Sequence, residues 1–191
     1  ITIDGVNYSF ETTVATFTGE FGKKGPANWS YSEFPKGQDD FPVTGISWFE
    51  AAAYAKYKGM KLPNVYQWAN AANLSWSSAF VPKSNFSKNQ LNAVGDEKTN
   101  NYQNIYDIAG NVREWCVNDY NEIHTEKSIL GGSYLDYDYH FNDYYGQISF
   151  DRSIGNGCRL VKELDHSDNI DNVADKEMFI KTRDFYSLPT V

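Results

Sequence analysis

Apolar residues fall along this chain in short bursts, separated by runs of Gly, Pro, Asn, Asp and Ser. The first burst with a helical signature predicts a helix from about Trp48 to Lys58. Ser47 stands where an N-cap belongs, and Glu50 follows three residues later to close a capping box. Ala51, Ala52, Ala53 and Ala55 favour helix and allow close packing, and Gly59 suits the position after its end. A second helix is predicted over Val65–Ala72, with Asn64 as N-cap and Gln67 closing its box. Pro63 holds Leu62 extended and keeps the two helices apart. Before them, residues 1–46 read as irregular. ITIDGVNYSF suits one short strand and a turn, and GKKGPANW and FPKGQDDFP read as loops. Residues 73–104, rich in Ser, Asn and Lys, read as a long loop with little regular structure, and long loops in compact domains are often functional. Residues 105–162 alternate short apolar and aromatic stretches with turn residues, which predicts short strands. From 163 to 177 six acids (Glu163, Asp165, Asp168, Asp171, Asp175 and Glu177) face one lysine, the pattern of a solvated linker. The expected organisation is one domain over 1–162, then an acidic linker and C-terminal segment over 163–191.

Composition narrows the function classes. A chain of 191 residues with 41% hydrophobic residues suits one domain with a buried core. A formal charge of −8 argues against a surface built to neutralise phosphates, so no nucleic-acid partner is expected. No apolar run approaches the ~20 residues of a membrane span, so no membrane insertion is expected. No basic-then-apolar leader opens the chain, and the few cysteines mildly favour a reducing, cytoplasmic compartment. Cys116 and Cys158 read as small buried thiols, with a single bridge as the alternative. Aromatic residues make up 16% of the chain, an unusual load that suits cores, interfaces and ligand surfaces. His124, His140 and His166 show no metal-ligand spacing, and no HExxH, GxSxG, Walker or dinucleotide motif occurs. The sequons at Asn28, Asn73 and Asn85 read as chance, Trp48, Trp68 and Trp115 as core anchors, and Asp151 with Arg152 as a local ion pair.

Four blocks carry a resemblance. FPVTGISWFEAAAYAKYKGMKLPNVYQWANAA at 41–72, YDIAGNVREW at 106–115, ILGGSY at 129–134 and DRSIGNGCRLV at 151–161 stand in the order seen in the formylglycine-generating enzyme, or sulfatase-modifying factor-like, family. The segment GPANWSYSEFPKGQDDFPVTGISWFEAAAYA is closest to the branch found in bacterial multidomain proteins, often fused to Ser/Thr kinases. MFIKTRDFYSL at 178–188 is similar to the connector that follows the domain there. The resemblance implies an α+β, much elaborated C-type lectin-like fold with two helices, short strands and long loops. The family's opening E-V-T-N strand is not matched, which implies an excerpt of a longer chain.

What the resemblance implies for chemistry is mixed. Oxidase members use two cysteines after the RGGS block to bind copper, and soft thiolates suit Cu(I). Here Asp136 and Phe141 stand at those positions, and no cysteine lies between 117 and 157. No copper, no catalytic residue and no formylglycine-generating activity are expected. The family's calcium turn is matched by the carbonyls of Ala109, Gly110 and Val112 and the side chain of Glu114. Calcium seeks six to eight hard oxygens, and one calcium ion is expected there. The alternative is that Glu114 pairs with a base such as Arg159. A weaker second calcium site is matched only by Asn85 and Phe86. The family's substrate groove maps onto the tyrosine-rich stretch, with Tyr134, Asp136, Tyr137, Asp138, His140 and Phe141 as groove candidates. Alternation would make this stretch a strand, with Tyr137 and Tyr139 on one face and Asp136 and Asp138 on the other. The expected function is a non-catalytic ligand-binding or scaffolding module whose ligand is a peptide, a glycan or another domain of the parent protein. The alternative is an enzyme of different chemistry, the substrate-pocket half of a non-haem iron oxidase completed by a partner domain.

Overall fold

The computed structural model describes residues 2–3, 6–7, 9, 17–19, 22, 24–95 and 99–162. The expected linker and connector at 163–191 lie outside the described residues. At the start, strands β1 (Thr2–Ile3) and β2 (Val6–Asn7) pair antiparallel, so two short strands stand where one was expected.

Helix α1 spans Trp48–Tyr57 and α2 spans Val65–Ala72. Both form where the capping signals place them, and both boxes close. The Glu50 amide donates to Ser47 Oγ at 3.2 Å and the Ser47 amide to Glu50 Oε2 at 2.8 Å. The Gln67 amide donates to Asn64 Oδ1 at 2.8 Å and the Asn64 amide to Gln67 Oε1 at 2.9 Å. Each box satisfies two helix-end donors that would otherwise lack partners. Asn73, with φ of 49°, ends α2 in the left-handed conformation usually left to glycine.

The stretch expected to be a loop starts differently. Two 3₁₀ turns (Leu74–Trp76 and Val81–Lys83) flank a single helical turn, α3 (Ser77–Phe80). Its polar sequence hides this because the turn is held from outside, by Phe80 buried in the core and by Ser84 Oγ donating to the Phe80 carbonyl at 3.0 Å.

The later strands, β3 (Arg113–Asp119), β4 (Glu126–Leu130), β5 (Tyr145–Ile148) and β6 (Asn156–Gly157), form one mixed sheet in the order β5-β4-β3-β6. β3 pairs antiparallel with β4, and β4 does so with β5. β6 runs parallel to β3. Glu114, Trp115 and Cys116 are consecutive and all buried, so the centre of β3 is covered on both faces. Trp115 and Ile129 pack with Ala51 and Ala55 of α1, while Cys116 and Leu130 pack with Trp68 and Ala72 of α2. Both cysteines are free thiols, and burial pushes Cys158 up to about 12. Trp68 and Trp115 are core anchors, whereas Trp48 is half-buried, with Lys127 Nζ lying 4.4 Å from its ring centroid.

Arg152 does not pair with Asp151. Its guanidinium reaches Glu50 of α1 at 2.8 and 2.9 Å and also donates to the carbonyls of Thr18 and Gly25. Asp151 instead accepts from the Ser153 amide and Asn156 Nδ2, both at 2.8 Å.

The sheet carries an acid-sensitive element. Burial works to raise the carboxyls of Asp119 and Asp151, but hydrogen bonds outweigh it, from Lys127 and His124 at Asp119 and chiefly from Ser153 at Asp151. Both therefore lie below the ordinary 3.8. Groups depressed in the fold stabilise it above their unfolded value and lose that contribution as pH falls through the lowered value. Thermal unfolding followed from about pH 5 to pH 2 should show a falling Tm, with a shallower fall in Asp151→Asn. An equal slope in the variant would remove Asp151 from the account.

Candidate functional site

The tyrosine-rich segment leaves β4 through Gly131 and Gly132, which sit at φ of 95° and 70°. A Cβ on Gly132 would stand 2.7 Å from the Phe86 ring, so the turn needs glycine for space as well as conformation. Asp136 then locks the turn. Its Oδ2 accepts from the Ser133 amide at 2.7 Å and Ser133 Oγ at 2.8 Å, and its Oδ1 pairs with Arg113. Tyr134 is buried, and Phe141 is 1% exposed, with its ring 5.8 Å from Trp68 and 5.6 Å from Phe80.

The segment is not a strand. Asp138–Asn142 forms a 3₁₀ helix, because anchoring Phe141 in the core winds the chain that precedes it. The alternation of faces expected for Tyr137, Tyr139, Asp136 and Asp138 therefore does not hold. Tyr137 and Tyr139 nevertheless meet, stacked at 5.6 Å and 14° while 62% and 60% exposed. His140 continues the row, its ring 4.4 Å from Tyr139. Asp138 is exposed beside them. His140 Nδ1 contacts Asp143 Oδ2 at 3.1 Å and the Tyr145 hydroxyl, which itself donates to Asp143 Oδ2 at 2.9 Å. Burial, then the Asp143 carboxylate, pushes the Tyr145 phenol up to about 12, so it remains a donor at neutral pH.

The six groove candidates thus divide. Tyr134, Asp136 and Phe141 hold the framework, Tyr137 and Asp138 face outward, and His140 is half-buried between Tyr139 and Tyr145. Sequence reasoning missed Arg113, the partner of Asp136, because 23 residues separate them. Tyr145, in the tyrosine-rich stretch read as a ligand surface, is the partner of His140, a pairing that no charge or motif announced.

The turn matched to calcium is built around an ion pair. Glu114 is 3% exposed. Its Oε2 accepts from Trp68 Nε1 at 2.7 Å, and both its oxygens accept from Arg159 at 2.8–3.1 Å. Arg159 also donates to the Tyr106 carbonyl at 2.8 Å, and the Glu114 charge raises its already high pKa further. A calcium ion ligated by Glu114 would face the guanidinium that already neutralises that carboxylate. Glu114 thus takes the Arg159 pairing, and its carboxylate would have to leave the guanidinium to ligate an ion together with the Ala109, Gly110 and Val112 carbonyls. At the weaker site, Asn85 Nδ2 donates to the Gln90 carbonyl and Asn111 Oδ1, and Phe86 packs in the core. Asn85 is buried, which also removes its sequon from reach in the folded chain. Among the described residues no group of three His, Cys, Asp or Glu side chains could hold a metal, and no helix is long and apolar enough to cross a membrane.

This fold, two capped helices against the two faces of a short mixed sheet with a glycine turn feeding an aromatic segment, defines an α+β domain of the formylglycine-generating enzyme type. The chain belongs to that family: residues 6–164 match the sulfatase-modifying factor enzyme 1-like domain. Curated relatives include a serine/threonine-protein kinase pkn1 of Chlamydia pneumoniae, 33% identical over 41% of this chain and 14% of the kinase. An inactive C-alpha-formylglycine-generating enzyme 2 of Bos taurus is 28% identical over 51% of this chain and 40% of that protein. A formylglycine-generating enzyme of Streptomyces coelicolor is 26% identical over 68% of this chain and 55% of the enzyme. The chain thus spans less than two thirds of these relatives. The crystal structure of CarF shares the fold, with a TM-score of 0.58 at 19% identity over 82% of this chain and 79% of CarF.

Proposed function

We propose that this domain is a non-catalytic ligand-binding or scaffolding module on the formylglycine-generating enzyme fold, working as part of a larger protein. One observation carries the reading. The two positions matched to the oxidase cysteines hold Asp136 and Phe141, and both side chains are committed to the framework, while Tyr137 and Tyr139 stack in the open beside them with half-buried His140 next in the row. A row of exposed rings flanked by carboxylates has the composition of a recognition surface, giving large contact area at low rotamer cost. The relatives named as an inactive enzyme and as kinases support a role without oxidation and within a multidomain chain. The ligand class is a peptide, a glycan or a neighbouring domain of the parent.

The test is a peptide and glycan array probed with this chain, beside Tyr137→Ala/Tyr139→Ala. The double variant should lose the captured ligand by tenfold or more while its unfolding free energy stays within about 0.5 kcal/mol of wild type, as for exposed positions. Oxidation of a cysteine-containing substrate peptide in the presence of copper and oxygen would overturn the non-catalytic reading. Undiminished binding by the double variant would move the surface elsewhere.

A further inference from the structure

The loops before α1 build a second recess, from a segment that the tyrosine row does not use. Turns pin its walls. The Trp29 amide donates to the Pro26 carbonyl at 3.0 Å, Ala27 to Gly45 at 2.8 Å, Gln38 to Pro35 at 3.1 Å and Phe41 to Gln38 at 3.2 Å, while the Val94 amide ties down the Asp40 carbonyl at 2.7 Å. The recess holds about 140 Å³. That is close to the cavity volume known to hold one benzene-sized molecule, ~150 Å³.

Its lining is aromatic and acidic. Trp29 and Phe34 stand 5.9 Å apart at 61°, making a corner of two rings, and Phe41 adds a third. Asp39 also lines it, and no lysine or arginine does. Ring faces carry partial negative charge that attracts cations. Rings and a carboxylate ask for a group that is compact and positive, with an apolar stem for the rings.

We propose that this recess binds a protonated alkylamine, of the size and charge of a lysine side-chain tip. Its source is either a free small amine or a lysine on a protein. The ring corner takes the methylenes and part of the charge, and Asp39 supplies the counter-charge.

Titration of this chain followed by the Trp29 indole N–H signal, assigned through Trp29→Phe, tests the assignment. The probes are n-butylammonium, a Gly-Gly-Lys-Gly-Gly peptide, and the neutral controls n-butanol and the same peptide acetylated on its lysine. The cationic probes should give saturable shifts, the neutral ones should not, and Asp39→Asn should weaken binding at least fivefold. Tighter binding of the peptide than of butylammonium assigns the source to a protein lysine, and the reverse order to a free amine. Equal binding of butanol, indifference to Asp39→Asn, or no shift with any probe would overturn the proposal. Asp39 is exposed, so its variant keeps the fold and the comparison stays readable.

Discussion

Arg159→Ala should lower the stability of this domain by about 3–5 kcal/mol, the cost of stranding a buried charge. The loss is large because Glu114 cannot retreat to water. It sits in the centre of β3 with Trp68 Nε1 on one oxygen and the guanidinium on both. Removal of Arg159 also frees the Tyr106 carbonyl. Stabilities of folded domains run to about 5–15 kcal/mol in total, so this one substitution should remove a large share of the whole. Glu114→Gln/Arg159→Met, which removes both charges and keeps the volume, should recover much of the loss, because charge removed in pairs leaves nothing stranded. Urea unfolding of the three proteins gives the comparison. The wild-type midpoint should be the same in calcium and in chelator. A calcium-dependent rise abolished by Glu114→Gln would show that the ion, and not Arg159, is the partner of this carboxylate.

How much of this could be read in advance depended on range. The caps of α1 and α2 were legible because Ser47 with Glu50 and Asn64 with Gln67 act over three residues on their own backbone. The choice between calcium and Arg159 at Glu114 was visible as a choice, since both charges stand in recognisable blocks, but only geometry decides between them. The Arg152 clamp was not legible: its carboxylate partner lies 102 residues away, and adjacency to Asp151 suggested the wrong acceptor. The tyrosine segment misled for a related reason. Alternating Tyr and Asp mimic a strand, but tertiary packing of Phe141 against Trp68 and Phe80 overrides that local period. The recess at Trp29 had no motif at all. Its residues come from two stretches readable only as loops, and it exists because backbone turns fold those loops onto one another.

Asp136→Cys/Phe141→Cys, which restores the cysteine pair of the oxidase pattern, should be strongly destabilised, with Phe141→Ala alone costing about 3–5 kcal/mol. Phe141 is a keystone between Trp68 of α2 and Phe80 of α3, with the latter ring met edge-on at 88°. A cysteine there leaves a cavity in a core that cannot fully collapse, since both neighbours are fixed by their own helices. The Asp136 change acts on different atoms. It removes the acceptor for the Ser133 amide and hydroxyl, and it leaves Arg113 without its carboxylate in a half-buried position. The single variants should therefore separate, Phe141→Cys by a lower unfolding midpoint and Asp136→Cys by a loosened turn seen as faster amide exchange at Ser133. If the double variant proved as stable as wild type, these two positions would be open to ligands or metals rather than closed by packing. The groove would then have to be drawn through them. If it is destabilised as expected, a thiol pair cannot return at these positions by two substitutions, and recognition in this region rests with the rings left outside.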